Sequence, residues 1–365
     1  MRLHLLPFAF SLLLLIVPDW VFDTQPAFGQ FWQELSTGST ASLRGLAVSE
    51  SPTGVSIWAA GAKGNVLRTS DLGKSWTLCG PAEFPELEFR SIHAWSSQEA
   101  VIASAGSPAI ILRTADGGRT WQAVHRDSNP AAFFDGLRFH DGTRGIVFGD
   151  PLDGKFVVLR SSDGGRRWQG IDPDRLPSIL PGEAGFAASN SAMLVNARGS
   201  IWIGTGGTMG LVSRVHYSED FGDTWHVTDC PLPGDATSGV FSLAATVEGR
   251  LMVAVGGDYR AEATSTATAA FSTDGGKTFQ LAEKWPTAFR SAVVHSNGPL
   301  RLASNKDDPY PNLAGFYATG PTGTDYSSDG KRWVPLTEVG YHTMVVGKDG
   351  RIFAAGSAGR FGIAQ

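Results

Sequence analysis

The sequence predicts an all-β chain folded as a seven-bladed β-propeller with four-stranded antiparallel blades, and three observations carry that prediction. One octapeptide pattern, [ST]-x-D-x-G-x-x-[WF], recurs along the chain. Each copy lies in the same run of four short apolar segments, broken by Gly, Ser, Pro and Asp. The end of the chain supplies three such segments without a fourth, and the front holds one to spare.

The pattern reads "TSDLGKSW" (69–76), "TADGGRTW" (114–121), "SSDGGRRW" (161–168), "SEDFGDTW" (218–225) and "STDGGKTF" (272–279), with a shortened sixth copy "SSDGKRW" (327–333). Its aspartates, Asp71, Asp116, Asp163, Asp220, Asp274 and Asp329, are spaced by 45, 47, 57, 54 and 55 residues. In the first unit, "SLRGLAVS" (42–49), "VSIWAAGA" (55–62), "GNVLRTSD" (64–71) and "SWTLCG" (75–80) read as a four-stranded meander with the box at the third turn. A period near fifty residues with four strands per unit is the mark of propeller blades.

Six boxes do not limit the ring to six blades. "YHTMVVGKDGRIFAAGSAGRFGIAQ" (341–365) supplies three more strands, and "QFWQELST" (30–37) supplies the fourth. Joining them closes the ring and removes the unpaired sheet edges that invite aggregation. The 336 residues from position 30 onward then divide into seven blades of about 48.

The repeated aspartate invites a catalytic or metal-binding reading, and both fail on chemistry. Six equivalent acids spread around a ring cannot meet one substrate, and the bidentate Glu of an oxygen-rich calcium loop is missing. A turn clasp fits better: the carboxylate accepts from backbone N–H groups two or three residues ahead. The glycine takes a positive φ, and the Trp or Phe packs between sheets.

Composition agrees with a turn-rich β protein: 45 glycines, 11 tryptophans and only 18% charged residues. Net charge is −5 without a basic block, so nucleic acid is not an expected partner. Residues 1–29 differ from the rest. "LLPFAFSLLLLIV" (5–17) after Arg2, ending in "PAFG" (26–29), reads as a signal peptide cleaved near Gly29. Thirteen apolar residues span a bilayer poorly, so a secreted or periplasmic propeller over 30–365 with no membrane span is expected, as a monomer. Of the two cysteines, Cys79 falls in the outer strand of blade one and Cys230 just after that of blade four, too far apart for a bridge.

Meander geometry puts the boxes and the first-to-second turns on one face. The second-to-third turns and the links between blades lie on the other. The segments 81–88, 126–133, 172–184, 256–267 and 304–315 are long and varied, and are read as belonging to that second face. Variable loops on a rigid frame are where function concentrates. First strands line the central channel, so the residues that open them face its mouth: Arg44, Arg90, Arg290 and His342. Arginine's fixed fork of donors suits carboxylates and phosphates. The opposing reading pairs each arginine with an acid of a neighbouring blade, such as Asp150, Asp153 or Asp258. Asp150 and Tyr259 complete the candidate mouth residues.

Other motifs carry less. "GTGGTMG" (204–210) lacks the third glycine of a dinucleotide fingerprint and reads as a strand end and loop. The histidines show no metal-ligand spacing, and no G-x-S-x-G elbow occurs, so neither a metal nor a cofactor is expected.

The boxes, with "GNVLRTSDLGKSW", "AIILRTADGGRTW" and "GDPLDGKFVVLRSSDGGRRW", resemble the photosystem II stability/assembly factor family and its non-photosynthetic bacterial relatives. The resemblance covers essentially all of residues 30–365. It implies an exported seven-bladed propeller that holds a partner protein and performs no chemistry. It also implies an arginine patch that meets the partner, matched here to Arg44, Arg90 and Arg290. The alternative is a sialidase-like glycosidase, which needs three arginines clamping a carboxylate and a Tyr–Glu pair. Tyr259 or Tyr341 could serve, but the [FY]-R-I-P motif is absent and "SLRGLAV" lacks its proline.

Overall fold

The computed structural model describes residues 31–52, 54–297 and 313–365. The signal peptide read in residues 1–29 lies outside the described residues. Seven four-stranded antiparallel sheets follow one another. Blade one comprises Leu43–Ser51, Gly54–Gly61, Val66–Thr69 and Thr77–Leu78, matching the four segments expected of it. Blade seven is built from Thr343–Val346, Ile352–Ala355 and Arg360–Ala364 at the end of the chain, with Trp32–Ser36 from the front as its outer strand. The two ends pair antiparallel, Trp32 opposite Ala364 and Ser36 opposite Arg360.

The core is a series of wedges between neighbouring blades. The aromatic residue of each box fills the gap to the blade before it. Trp168 of blade three packs with Val101 and Ile111 of blade two, and Trp333 of blade six with Val253 and Phe271 of blade five. Trp76 of blade one meets Phe361 of blade seven edge-on at 5.0 Å, which carries the same packing across the closure. Large aromatic surfaces placed this way contribute most of the stability that holds the blades in a ring.

The boxes are turn clasps, with one correction to the expected bonding. Thr69 Oγ1 donates to Asp71 Oδ1 at 2.7 Å and accepts from the Gly73 N–H at 3.0 Å. Asp71 then accepts from the Ser75 N–H at 2.9 Å and from the Ser75 hydroxyl at 2.6 Å. The donors stand four residues ahead, and in Asp163, Asp220 and Asp274 three and four ahead. Only the shortened sixth box uses donors two and three ahead of Asp329. The glycine is required by two constraints at once. Gly118 has φ +82°, and a Cβ there would lie 2.7 Å from the Cys79 carbonyl oxygen of blade one.

Cys79 directly follows its outer strand and Cys230 lies within His226–Pro233, each one step from its expected position. Both are unpaired and buried, and burial raises their thiols to about 11 and about 12.

One stretch falls between different strands from those expected. It is 304–315, flanked by Ala292–Ser296 and Gly315–Gly320, the first and second strands of blade six, whereas the expectation placed it between second and third strands or between blades. Most of it lies outside the described residues.

Candidate functional site at the channel mouth

The first strands of four blades share a local irregularity that builds the site. In each, one extra residue interrupts the register with the second strand: Arg44 between Leu43 and Gly45, Arg90 between Phe89 and Ser91, Asp135 between Phe134 and Gly136, and Phe241 between Val240 and Ser242. A bulge re-aims its side chain and leaves it out of the ladder. All four bulge residues line a cavity of about 360 Å³ on the face opposite the boxes. Blades six and seven have no bulge. There Ser291 and His342 each donate their N–H to the last partnered residue of the second strand, Thr319 and Ala355, and both face the same cavity.

The channel beneath is closed by the link from blade three to blade four. The Arg44 guanidinium donates to the Ala188 carbonyl at 3.1 Å, and that of Arg90 to the Ala187 carbonyl at 3.0 Å. Asn190 accepts from the Leu137 N–H of blade three and donates to the Ile92 carbonyl of blade two. The Ser189 hydroxyl donates to the Ser291 carbonyl of blade six. The Ser191 and Ser242 hydroxyls bond at 2.7 Å, adding blade five, so residues 187–191 cross the axis and touch five blades.

The same link is latched to blade four by a buried acid. Glu183 accepts from Thr205 Oγ1 at 2.7 Å, Arg214 Nε at 3.1 Å and His216 Nε2 at 2.8 Å, and its other oxygen takes Arg214 Nη2. Burial pushes this carboxyl up, but hydrogen bonds from His216 and Arg214 outweigh it and hold it at about 2.

Of the sequence-predicted mouth residues, Arg44, Arg90, Asp150, Tyr259 and His342 converge on the cavity. Arg290 does not. Its register places Ser291 where the others place their mouth residue, so Arg290 points to the opposite side, as a one-residue offset in a strand requires. Its guanidinium is buried against Asp325 of its own blade, 2.5 Å from Nε to Oδ2. Arg290 is thus held in an ion pair, as the opposing reading has it, but with an acid of its own blade rather than a neighbouring one.

The electrostatics of the mouth also differ from a positive patch. Glu88 stands between the two arginines, 2.9 Å from Arg90 Nη2 and 3.8 Å from Arg44 Nε. Asp135, Asp150 and Glu262 line the cavity as well. Burial, together with Arg44, Arg360 and Arg90 nearby, lowers His342 to about 3, so it is neutral at ordinary pH. Burial and then the charge of Asp150 push the Asp135 carboxyl well above the usual range. One wall is aromatic: Phe186 stacks on Phe241 at 4.3 Å, and Phe241 meets Phe289 edge-on at 4.8 Å.

Asp135 and Phe241 were missed by the sequence reading. The signal is present: "FDGL" (134–137) and "VFSL" (240–243) repeat the apolar–x–small–apolar form of "LRGL" (43–46). The sialidase constellation is not assembled. Arg290 is turned away, and among the described residues no tyrosine hydroxyl bonds a glutamate, Tyr341 being buried without a partner.

No protein-family model matches the chain. No curated protein matches it. Solved structures do. YCF48 bound to a D1 peptide superimposes with a TM-score of 0.59 at 15% identity, covering 92% of this chain and 97% of that one. YCF48 from Cyanidioschyzon merolae gives a TM-score of 0.61 at 14% identity, covering 92% and 98%. At that identity the likeness establishes the fold, and the chain has the seven-bladed propeller fold of the photosystem II assembly factor that the sequence resembles.

Proposed function

We propose that the chain is an exported, non-catalytic docking scaffold, a rigid monomeric ring that holds a partner protein through the mouth face opposite the boxes. The observation that carries this reading is the convergence of Arg44, Arg90, Asp150, Tyr259 and His342, from five different blades, on one cavity. Apolar side chains stand exposed on the same side, Met209 and Leu211 on the second-to-third loop of blade four and Val212 at the start of its third strand. Exposed apolar groups beside a polar cleft are a common mark of an interaction surface. A protein of this fold has been solved with a peptide bound, which supports the same use of the scaffold here.

A photo-crosslinking residue placed at Met209 and, separately, at Val247 tests this in the native host. Met209 is 74% exposed on the mouth side, and Val247 is 79% exposed on the box-side turn of blade five. The expected result is a specific crosslinked protein from position 209 and none from 247. Equal crosslinking from both positions would overturn the reading.

A further inference from the structure

Two orphaned polar groups share the mouth cavity. Asp135 is 1% exposed, and among the described residues no N–H or O–H donates to either of its carboxyl oxygens. Its polar neighbour is the Asp150 carboxyl, which accepts from the Gly185 N–H at 2.9 Å and can bond Asp135 only through a shared proton. The Nε–H of Arg90, on the same cavity, is buried and has no acceptor. Buried polar groups left unpaired are costly, so their persistence at one cleft points to a ligand that pairs them.

Charge names the ligand's polar end. The cavity is lined by two guanidiniums and three carboxyls, with Glu88 a fourth carboxyl already bridging the guanidiniums. With His342 neutral, the acids are in excess, and the site favours a cation beside Asp135 and Asp150. Geometry names the rest. An acceptor near that cation would meet Arg90 Nε–H, and an apolar side chain would lie on Phe186, Phe241 and Phe289. A cation next to aromatic faces gains further attraction.

We propose that the cavity is a receptor for a free peptide amino terminus with an apolar first residue. The α-ammonium group donates to the Asp135–Asp150 carboxyl pair. The first carbonyl accepts from Arg90 Nε–H, and the first side chain packs against Phe186, Phe241 and Phe289. The proposal rests on the mouth being the working face and names what enters it. When the ammonium binds, the proton carried by the buried Asp135 carboxyl leaves to solvent.

Phenylalaninamide and N-acetylphenylalaninamide, titrated calorimetrically into the folded chain at neutral pH, separate the possibilities. The free amine is expected to bind saturably and to release a proton, seen as a dependence of the heat on the buffer. The acetylated probe should bind at least tenfold more weakly, and Asp135→Asn should weaken the amine by at least tenfold. Asp150→Asn is the second variant, should Asp135→Asn fail to fold, and the same loss is expected of it. Equal affinity for the two probes, or unchanged affinity in a folded Asp135→Asn chain, would overturn the proposal. Crosslinking from Met209 without any affinity for phenylalaninamide would overturn this inference and leave the docking reading standing.

Discussion

Arg290 and Asp325 form an ion pair sealed inside blade six, with side chains 1% and 0% exposed and a closest approach of 2.5 Å. The pair is completed by Thr287 Oγ1, Thr322 Oγ1 and the Phe289 carbonyl, each accepting from the guanidinium. Removing one partner of such a pair strands a buried charge. Arg290→Ala is therefore expected to cost about 3–5 kcal/mol. Arg90 pairs with Glu88 at a partly exposed site, so Arg90→Ala is expected to cost about 1 kcal/mol or less. Chemical denaturation of both variants checks the contrast, and equal losses would contradict it.

Trp32, in the front strand of the chain, donates from Nε1 to Thr324 Oγ1 of blade six at 3.1 Å and meets the Tyr341 ring at 5.0 Å. It is fully buried and ties the closing strand to the neighbouring blade. Trp32→Ala should destabilise the fold by about 3–5 kcal/mol, the usual cost of emptying such a site. A shift under about 1 kcal/mol in the same denaturation experiment would mean that the front strand does not close the ring.

The boxes and the mouth predict opposite responses to pH. Hydrogen bonds from the Ser75 side chain and N–H, then from Thr69, hold Asp71 at about 2, and Thr120 does the same for Asp116. A carboxyl lowered on folding stabilises above its unfolded value, near 4, and loses that contribution as pH falls toward about 2. Asp71→Asn should therefore melt below the parent at pH 7, with the gap closing between about pH 4 and 2. Asp135 is raised by burial and by the Asp150 charge, so its contribution is full below about pH 4 and is lost as pH rises through the raised value. Asp135→Asn should melt above the parent at neutral pH and match it near pH 4. Thermal unfolding midpoints across that range check both signs.

The blade count, the closure and the position of every box were legible because each is written in local chemistry that repeats. Among the arginines, the mouth was legible only where a repeat position coincided with a bulge. Phe89–Arg90–Ser91 and Phe289–Arg290–Ser291 are the same tripeptide, yet the first contains a bulge and the second does not, so their arginines face opposite ways. Nothing within the tripeptide distinguishes them, because register is set by pairing with the second strand. Asp135 escaped notice for the opposite reason: its bulge repeats the form of "LRGL", but its charge is opposite. The closing of the channel by residues 187–191 has no periodic signal at all, since it depends on partners in five blades.

The face that works is the claim on which the functional account stands. Amide hydrogen exchange of the chain, alone and saturated with the partner crosslinked through position 209, tests it directly. The account predicts new protection at 185–188, 206–212 and 256–262, with the box turns unchanged. Protection confined to the box turns at 70–76 and 115–121, with the mouth exchanging as before, would contradict it.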